Sequence, residues 1–368
     1  MSNINEYKIN ALPSKTWYWL NLNDTKVAWD SNVLPCSIAT DGYVDAFYDA
    51  QSKDYEDISS SVKTGAGEAA DVLFADNIKS LVINADKNAD NKTIYINVDD
   101  SKAAGNKLNQ AGKLVVNVED EVTFTIIETF RGNEEVEGNT AFRTLIDAGK
   151  NSKVKLVQVF LQPKKQDILS DIGSRCSDNA RFELVQLFLG EGNLYDGIRT
   201  DLNGDKSEFI CDIGYFGADK QNVDVNLISN HIGKKTNCEI GVDGALKDAA
   251  RKTFRGTIDF KNGSSGSTGA ETENVLLLGD DVVNKTIPII LCAEEDVNGS
   301  HGATIGELDP ETLFYFAARG IDSEAAEDIM TKGRLEVVIR KIEDDKTEQL
   351  ANEQLRKVLK EETEMENE

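Results

Sequence analysis

His301 is one of only two histidines in a chain of 368 residues. It stands in "NGSHGATIG", and its small neighbours Gly299, Ser300, Gly302 and Ala303 let a backbone or a partner approach closely. Imidazole is a common metal ligand and changes charge near neutral pH. The other histidine, His231 in "LISNHIG", lies near the end of a strand-like run and reads as a structural, hydrogen-bonded side chain. No Ser/His/Asp arrangement can be placed around either. Five cysteines (Cys36, Cys176, Cys211, Cys238 and Cys292) are widely spaced and contain no CxxC pair. That spacing indicates neither a zinc knuckle nor a disulfide framework.

Other motifs offer less chemistry. "DLNGDKSEFICD" opens like a calcium loop, but Lys206 occupies the position that needs glycine, and Asp212 replaces the bidentate glutamate. "DKNADNK" at Asp86 fails in the same way, so both read as polar turns. The glycine-rich "NGSSGSTGAETEN" lacks the Gly-Lys-Ser/Thr ending of a phosphate loop, and no nucleotide is expected on this chain. The counts of 40 basic and 65 acidic residues give a formal charge of -25, which makes nucleic acid and anionic membranes poor partners. The opening residues carry no apolar core of a signal peptide, and no run reaches the ~20 apolar residues of a membrane span. The expected location is cytoplasmic.

The elements that must position His301 are mostly strands. Residues 1–77 read as an N-terminal segment, extended or partly helical, in which Pro13, Trp17, Tyr18 and Trp19 suggest docking on a larger body. From 78 to 306, short runs such as "KTIYINVDD", "KVKLVQVFLQ", "RFELVQLFLG" and "TIPIILCAEEDV" recur, broken by Asn, Asp and Gly. Val223, Val225 and Leu227 alternate with period 2, as a half-buried strand does. Few amphipathic helices interrupt these runs, which argues against a βαβ sheet and leaves a sandwich, a barrel or a solenoid. From 307 to 368 the period turns helical. Asp309 is an N-cap, Pro310 suits the first helical position, and Gly320 is a C-terminal stop. Asp322 or Ser323 caps a second helix, with Ala326, Ile329 and Met330 on one face and Gly333 as its end. Beyond it, 334–360 read as strand or helix and then helix, with Leu350, Val358 and Leu359 available for packing. The acidic tail "KEETEMENE" reads as frayed.

The stretch from Thr286 to Gly333, with "EEDV", "HGATIG" and "LDPETLFYFAARGI", strongly resembles the C-terminal signature of the SufB/SufD family of iron-sulfur cluster assembly scaffolds. "VNLISNHIG", "ENVLLLGDD" and "LPSKTWYWL" are also similar to that family, and "HGAT" resembles its SufD branch. The resemblance implies a mainly β fold, a right-handed parallel β-helix flanked by a short N-terminal segment and a C-terminal helical region. It implies a non-enzymatic scaffold with a SufC-type ATPase and a SufB-type partner, and a transient iron-sulfur cluster or iron at the subunit junction. By motif the junction histidine is His301, with Cys292 as a possible second ligand, although a lone cysteine on an apolar strand reads first as core. The ATPase-docking residues fall on Asp309, Glu311, Phe314, Tyr315, Arg319 and Gly320. Two departures stand out: Glu273 occupies roughly the place of the SufB branch's sulfur-accepting cysteine, and Gly299 replaces a cysteine present in some relatives. A homodimeric scaffold acting with the ATPase alone, and a β-helix enzyme acting on acidic polysaccharide, are the alternatives.

Overall fold

A computed structural model describes residues 4–16, 18–44, 53–74, 78, 80–101 and 103–360. Trp17 and the tail from Glu361 lie outside the described residues. The strand-like runs fold as a parallel β-solenoid of about eight turns, followed by a helical region. Each turn contributes one strand to each of two sheets, so the strand order in a sheet advances by every second strand. One sheet runs from Lys92–Asp99 to Val297–Gly306, with Ser37–Gly42 added antiparallel at its start. The other runs from Lys107–Val118 to Val283–Cys292, with Leu34–Pro35 and Ser80–Ala85 against its first strand. Parallel strands need a crossover, and here the strand of the opposite sheet supplies it.

From Lys92 onward, register partners lie 26 to 32 residues apart, from Ile168↔Leu194 at one extreme to Arg251↔Val283 at the other. One of the two corners of a turn carries a left-handed residue, Asn91, Glu121, Asn151, Asn179, Lys206 and Lys235 in succession, each with φ between 54° and 64°, and Asp219 and Asp248 do the same at the other corner. Their backbone N–H groups bond to the next turn, as in Asn151 N–H to the Asp178 carbonyl at 2.9 Å and Lys206 N–H to the Lys234 carbonyl at 2.8 Å. The "DLNGDKSEF" stretch is thus one such corner, with Lys206 where the chain turns. Because left-handed backbone costs a non-glycine residue roughly 1–2 kcal/mol, these inter-turn bonds must hold it in place.

Inward residues stack in columns along the lumen. Phe130 stacks on Phe160 with centroids 4.8 Å apart, and Phe160 meets Phe188 edge-on at 5.2 Å. Full burial of such a side chain stabilises by roughly 1.5–3 kcal/mol. Between these apolar columns runs a polar one. Gln158 Nε2 donates to Glu128 Oε2 at 2.6 Å, and Gln186 Nε2 donates to Gln158 Oε1 at 2.8 Å.

The outer face of the second sheet is covered by the N-terminal segment, which is why Val223–His231 is buried on both faces and not half-buried. An antiparallel hairpin, Ile4–Ile9 with Thr25–Asp30, packs Ile9, Val27 and Trp29 over Ala111, Ala141 and Leu169. A Cβ on Gly197 would lie 2.1 Å from the Ala66 nitrogen, so only glycine lets that backbone approach. Helix α1 (Lys53–Ser61) seats Ile58 beside Val82, Val115 and Leu145.

Three helices follow the last strand: α2 (Pro310–Ala317), α3 (Ser323–Ile339) and α4 (Asp345–Val358). Helices α3 and α4 bury Leu335, Val338, Ile339, Ala351 and Leu355 on the outer face of the first sheet, against Val157, Val185, Leu187 and Phe216. Gly333 does not end α3, which continues through it to Ile339. Nothing lies within 4 Å of a Cβ built on Gly333, and the apolar contacts of the next turn outweigh the ~1 kcal/mol a helical glycine costs. Of the face expected from spacing, Ala326 is buried and Met330 packs against the same cluster, but Ile329 is exposed; Leu335 and Val338 complete the buried face. Leu359 is buried, while Leu350 and Val358 are half-buried.

Candidate functional site

Among the described residues no further strand follows the solenoid's last turn. Val283–Cys292 and Val297–Gly306 are the terminal strands of their sheets, so each carries a row of backbone N–H and C=O groups with no neighbouring strand beyond it. Strand formation at 297–306 owes little to local propensity, since Gly299, Gly302 and Gly306 disfavour it. It follows from pairing with Ser267–Leu278 in strict register, Gly269↔Gly299 and Glu271↔His301 among the pairs.

Parity places the side chains. A Cβ on Gly299 would lie 3.0 Å from Ile290 Cγ2 and 3.0 Å from Phe260 Cε2, so position 299 faces the lumen, and His301 shares that face. On the opposite sheet, Ile290 packs against the lumen core, and Cys292 shares its parity, directly above Phe260. His301 and Cys292 therefore rise from opposite sheets onto one rim. Both are exposed. This corrects the expectation of a core cysteine: Cys292 lies on an apolar strand, but no further turn covers it. The other four cysteines are buried. Burial pushes the Cys238 thiol up to about 12, which suppresses the thiolate.

One turn below the rim lies a buried charged group. Glu271 and Glu273 point into the lumen from one sheet, and Lys252 enters from the other and pairs with Glu273. Lys252 Nζ also reaches Thr286 Oγ1 at 3.3 Å. Burial lowers the Lys252 amine to about 7. It also raises Glu271 to about 7, with the Lys252 charge pulling the other way. Glu273, which the resemblance sets roughly at the place of the SufB branch's cysteine, is held in this ion pair. Lys252 and Glu271 carry no motif. Their signal is parity: Lys252 alternates in step with Phe254, Ile258 and Phe260, and Glu271 with Val275.

His231 is buried as expected, with Nδ1 at 2.7 Å from Thr236 Oγ1 and Nε2 at 3.3 Å from Cys238 Sγ. Burial lowers its imidazole to about 4, which keeps it neutral. Among the described residues no three His, Cys, Asp or Glu side chains gather closely enough to hold a metal ion. The rim thus presents an exposed histidine and an exposed cysteine.

Beyond the rim, α2 touches α3 and leaves most of its own surface exposed. Asp309 caps it, accepting from Thr312 N at 2.9 Å and Thr312 Oγ1 at 2.6 Å, and these bonds hold its carboxyl below the ordinary value. Glu311 sits in the first turn. None of the helix residues is buried; Phe314 is 75% exposed and Tyr315 54%. The Arg319 guanidinium lies 3.5 Å above the Tyr315 ring and donates to the Tyr315 carbonyl at 3.1 Å. Gly320 takes φ +80°, the left-handed stop that lets α3 begin at once. The six residues form one continuous surface element next to the rim, with aromatic side chains that no described residue covers.

Residues 99–334 match the family described as "SUF system FeS cluster assembly, SufBD core domain". The chain is 27% identical over 170 residues to the iron-sulfur cluster assembly protein SufD of Bacillus subtilis (strain 168), covering 46% of this chain and 39% of the relative. It is 24% identical over 206 residues to the SufD of Escherichia coli (strain K12), covering 56% and 49%. A chloroplastic SufBD family protein of Arabidopsis thaliana, ABCI8, is 29% identical over 125 residues, 34% of this chain and 22% of that one. The matches thus span half or less of these relatives' own lengths. No helix among the described residues is long and apolar enough to cross a membrane.

Proposed function

Because this chain belongs to the SufBD core family and is SufD-like, we propose that it is a non-ATPase scaffold subunit for iron-sulfur cluster assembly. Its uncapped solenoid end pairs with a second solenoid chain of SufB type, and α2 docks a SufC-type ATPase. The nascent cluster, or iron, is cargo at the junction. His301 holds it from this side, Cys292 is the nearest thiol on the same rim, and the partner supplies the remaining ligands. Clusters favour thiolates but accept imidazole.

The observation that carries this reading is the rim itself: two unpaired edge strands that present a histidine and an exposed cysteine from opposite sheets. A free solenoid end invites strand addition, and a covered one would have been capped. The exposed aromatic face of α2 supports the docking role, because adjacent large aromatics on a rigid helix are the usual centre of an interface. Transmission from the ATPase to the cargo needs only the short path from α2 to the His301 strand. A shift of the docked helix would move the rim with it. In this reading the chain works as a cytoplasmic scaffold that positions ligands.

Anaerobic co-expression with the ATPase and a SufB-type chain, followed by native mass measurement, tests this. A stable assembly with both partners is expected. A complex with the ATPase and a second copy of this chain would replace the heterodimer by a homodimer, and a lone monomer would sink both docking roles.

A further inference from the structure

The N-terminal hairpin crosses the solenoid strands and carries its loop toward the open end. Along Thr25–Asp30, Trp29 meets Tyr195 edge-on at 6.1 Å, and Thr25 bonds Asp224 and receives Arg255 Nη2 at 3.0 Å. Arg255 Nε then donates to the Leu22 carbonyl at 2.7 Å. Tyr195, Asp224 and Arg255 lie on three successive strands of one sheet, and the next strand is the edge, Val283–Cys292. Traced from Trp29 back to Leu22, the backbone therefore heads for that edge.

The loop is closed at its base and open at its tip. Leu12 N–H donates to the Asn23 carbonyl at 2.8 Å, and Thr16 N–H donates to Asn23 Oδ1 at 2.7 Å. Beneath the base, Arg255 and Asp224 form an ion pair at 2.7 Å with side chains 2% and 3% exposed, and Asn10 Nδ2 donates to Asp224 Oδ1 at 2.8 Å. The tip is the 3₁₀ turn Tyr18–Leu20, which buries nothing: Tyr18 and Trp19 are each 75% exposed and Leu20 is 47% exposed. Three consecutive large side chains thus face solvent on a base held by buried charges.

We propose that the Tyr18–Leu20 turn is a docking element for the second solenoid chain, a clasp that closes over that chain's outer face once it has extended the sheet at Val283–Cys292. The inference rests on the reading that a second solenoid pairs at the open end. The occupant follows from position. The loop base stands over the penultimate strand, and an added strand would continue the sheet at ~4.8 Å spacing beneath the tip. An exposed aromatic turn over a growing sheet matches the aromatic enrichment of interface centres.

The test uses the co-expressed complex. A photo-crosslinking amino acid is placed at position 18 or 20, and separately at Ile289 on the edge strand. Crosslinks from both regions to the same second solenoid are expected, and the mass of the product tells a SufB-type chain from a second copy of this one. A crosslink from Ile289 but none from 18 or 20 would overturn the clasp and leave strand pairing intact. No crosslink from Ile289 would sink the pairing and the clasp together, and a crosslink from 18 or 20 to the ATPase alone would overturn the clasp. The double variant Tyr18→Ser/Leu20→Ser should weaken partner binding by about tenfold or more with an unchanged melting temperature. Unchanged binding counts against the proposal.

Discussion

The Lys252 ammonium lies against the Glu273 carboxylate inside the lumen, one turn below the rim that carries His301. Both side chains are only 1% exposed. Removing one partner of such a pair leaves an uncompensated buried charge, a loss of roughly 3–5 kcal/mol. Lys252→Met alone and Glu273→Leu alone should each unfold at clearly lower urea, while the double variant recovers most of the loss. If the single and double variants were equally destabilised, the pair would not be acting as a unit.

The lumen acids make stability depend on pH. Burial raises Glu128 from its ordinary 4.5 to about 7, although Gln158 and Thr144 donate to it. Burial raises Asp196 to about 7 as well. A carboxyl whose folded pKa exceeds its unfolded value binds its proton more tightly when folded. Its stabilising contribution is therefore full below the unfolded value and is lost as pH rises through about 7. Glu128→Gln should flatten urea stability between pH 4.5 and 7 and raise it at pH 8 by about 2–3 kcal/mol, with Gln158 and Thr144 still bonded. An unchanged slope would mean that Glu128 is solvated in the native state.

At the rim, stability and function should separate. His301 is exposed, so His301→Ala is expected to change unfolding free energy by no more than about 0.5 kcal/mol. The same variant should lower the iron-sulfur content of the co-expressed complex severalfold, read by the absorbance of the anaerobically purified assembly. Equal cluster content in variant and wild type would remove His301 from the cargo site.

Helix α2 gives a second separation. Phe314→Ser removes a 75%-exposed ring and should weaken ATPase co-purification by about tenfold or more without a change in melting temperature. Asp309→Ala removes the cap and should cost about 1 kcal/mol of local stability. Faster amide exchange confined to Thr312 and its neighbours is the expected signature. Loss of protection across α3 as well would show that the two helices unfold together.

Much of the helical region was legible because its signals are local. Asp309 with Pro310, Gly320 and Asp322 each act within one turn, and each does what its type predicts. Gly333 was misleading for the opposite reason: contacts of Leu335, Val338 and Ile339 with a sheet far away in sequence carry α3 past it. The corners were harder to read. Glu121, Lys206 and Lys235 take left-handed backbone that their residue types do not announce, and the variable spacing of the turns hides the repeat. The strand around His301 was invisible locally, since its glycines and polar residues pair only because Ser267–Leu278 lies beside it.

By itself the sequence determined the alternating strands, the capped helices, the family resemblance and the two residues, His301 and Cys292, that stand out chemically. Only the tertiary structure decided that they share one rim, that Cys292 is exposed, and that Glu128, Lys252, Glu271 and Glu273 face the lumen. The reason is register. Whether a strand residue points in or out alternates every position, and which parity is buried depends on stacking between segments about thirty residues apart, which no local pattern encodes.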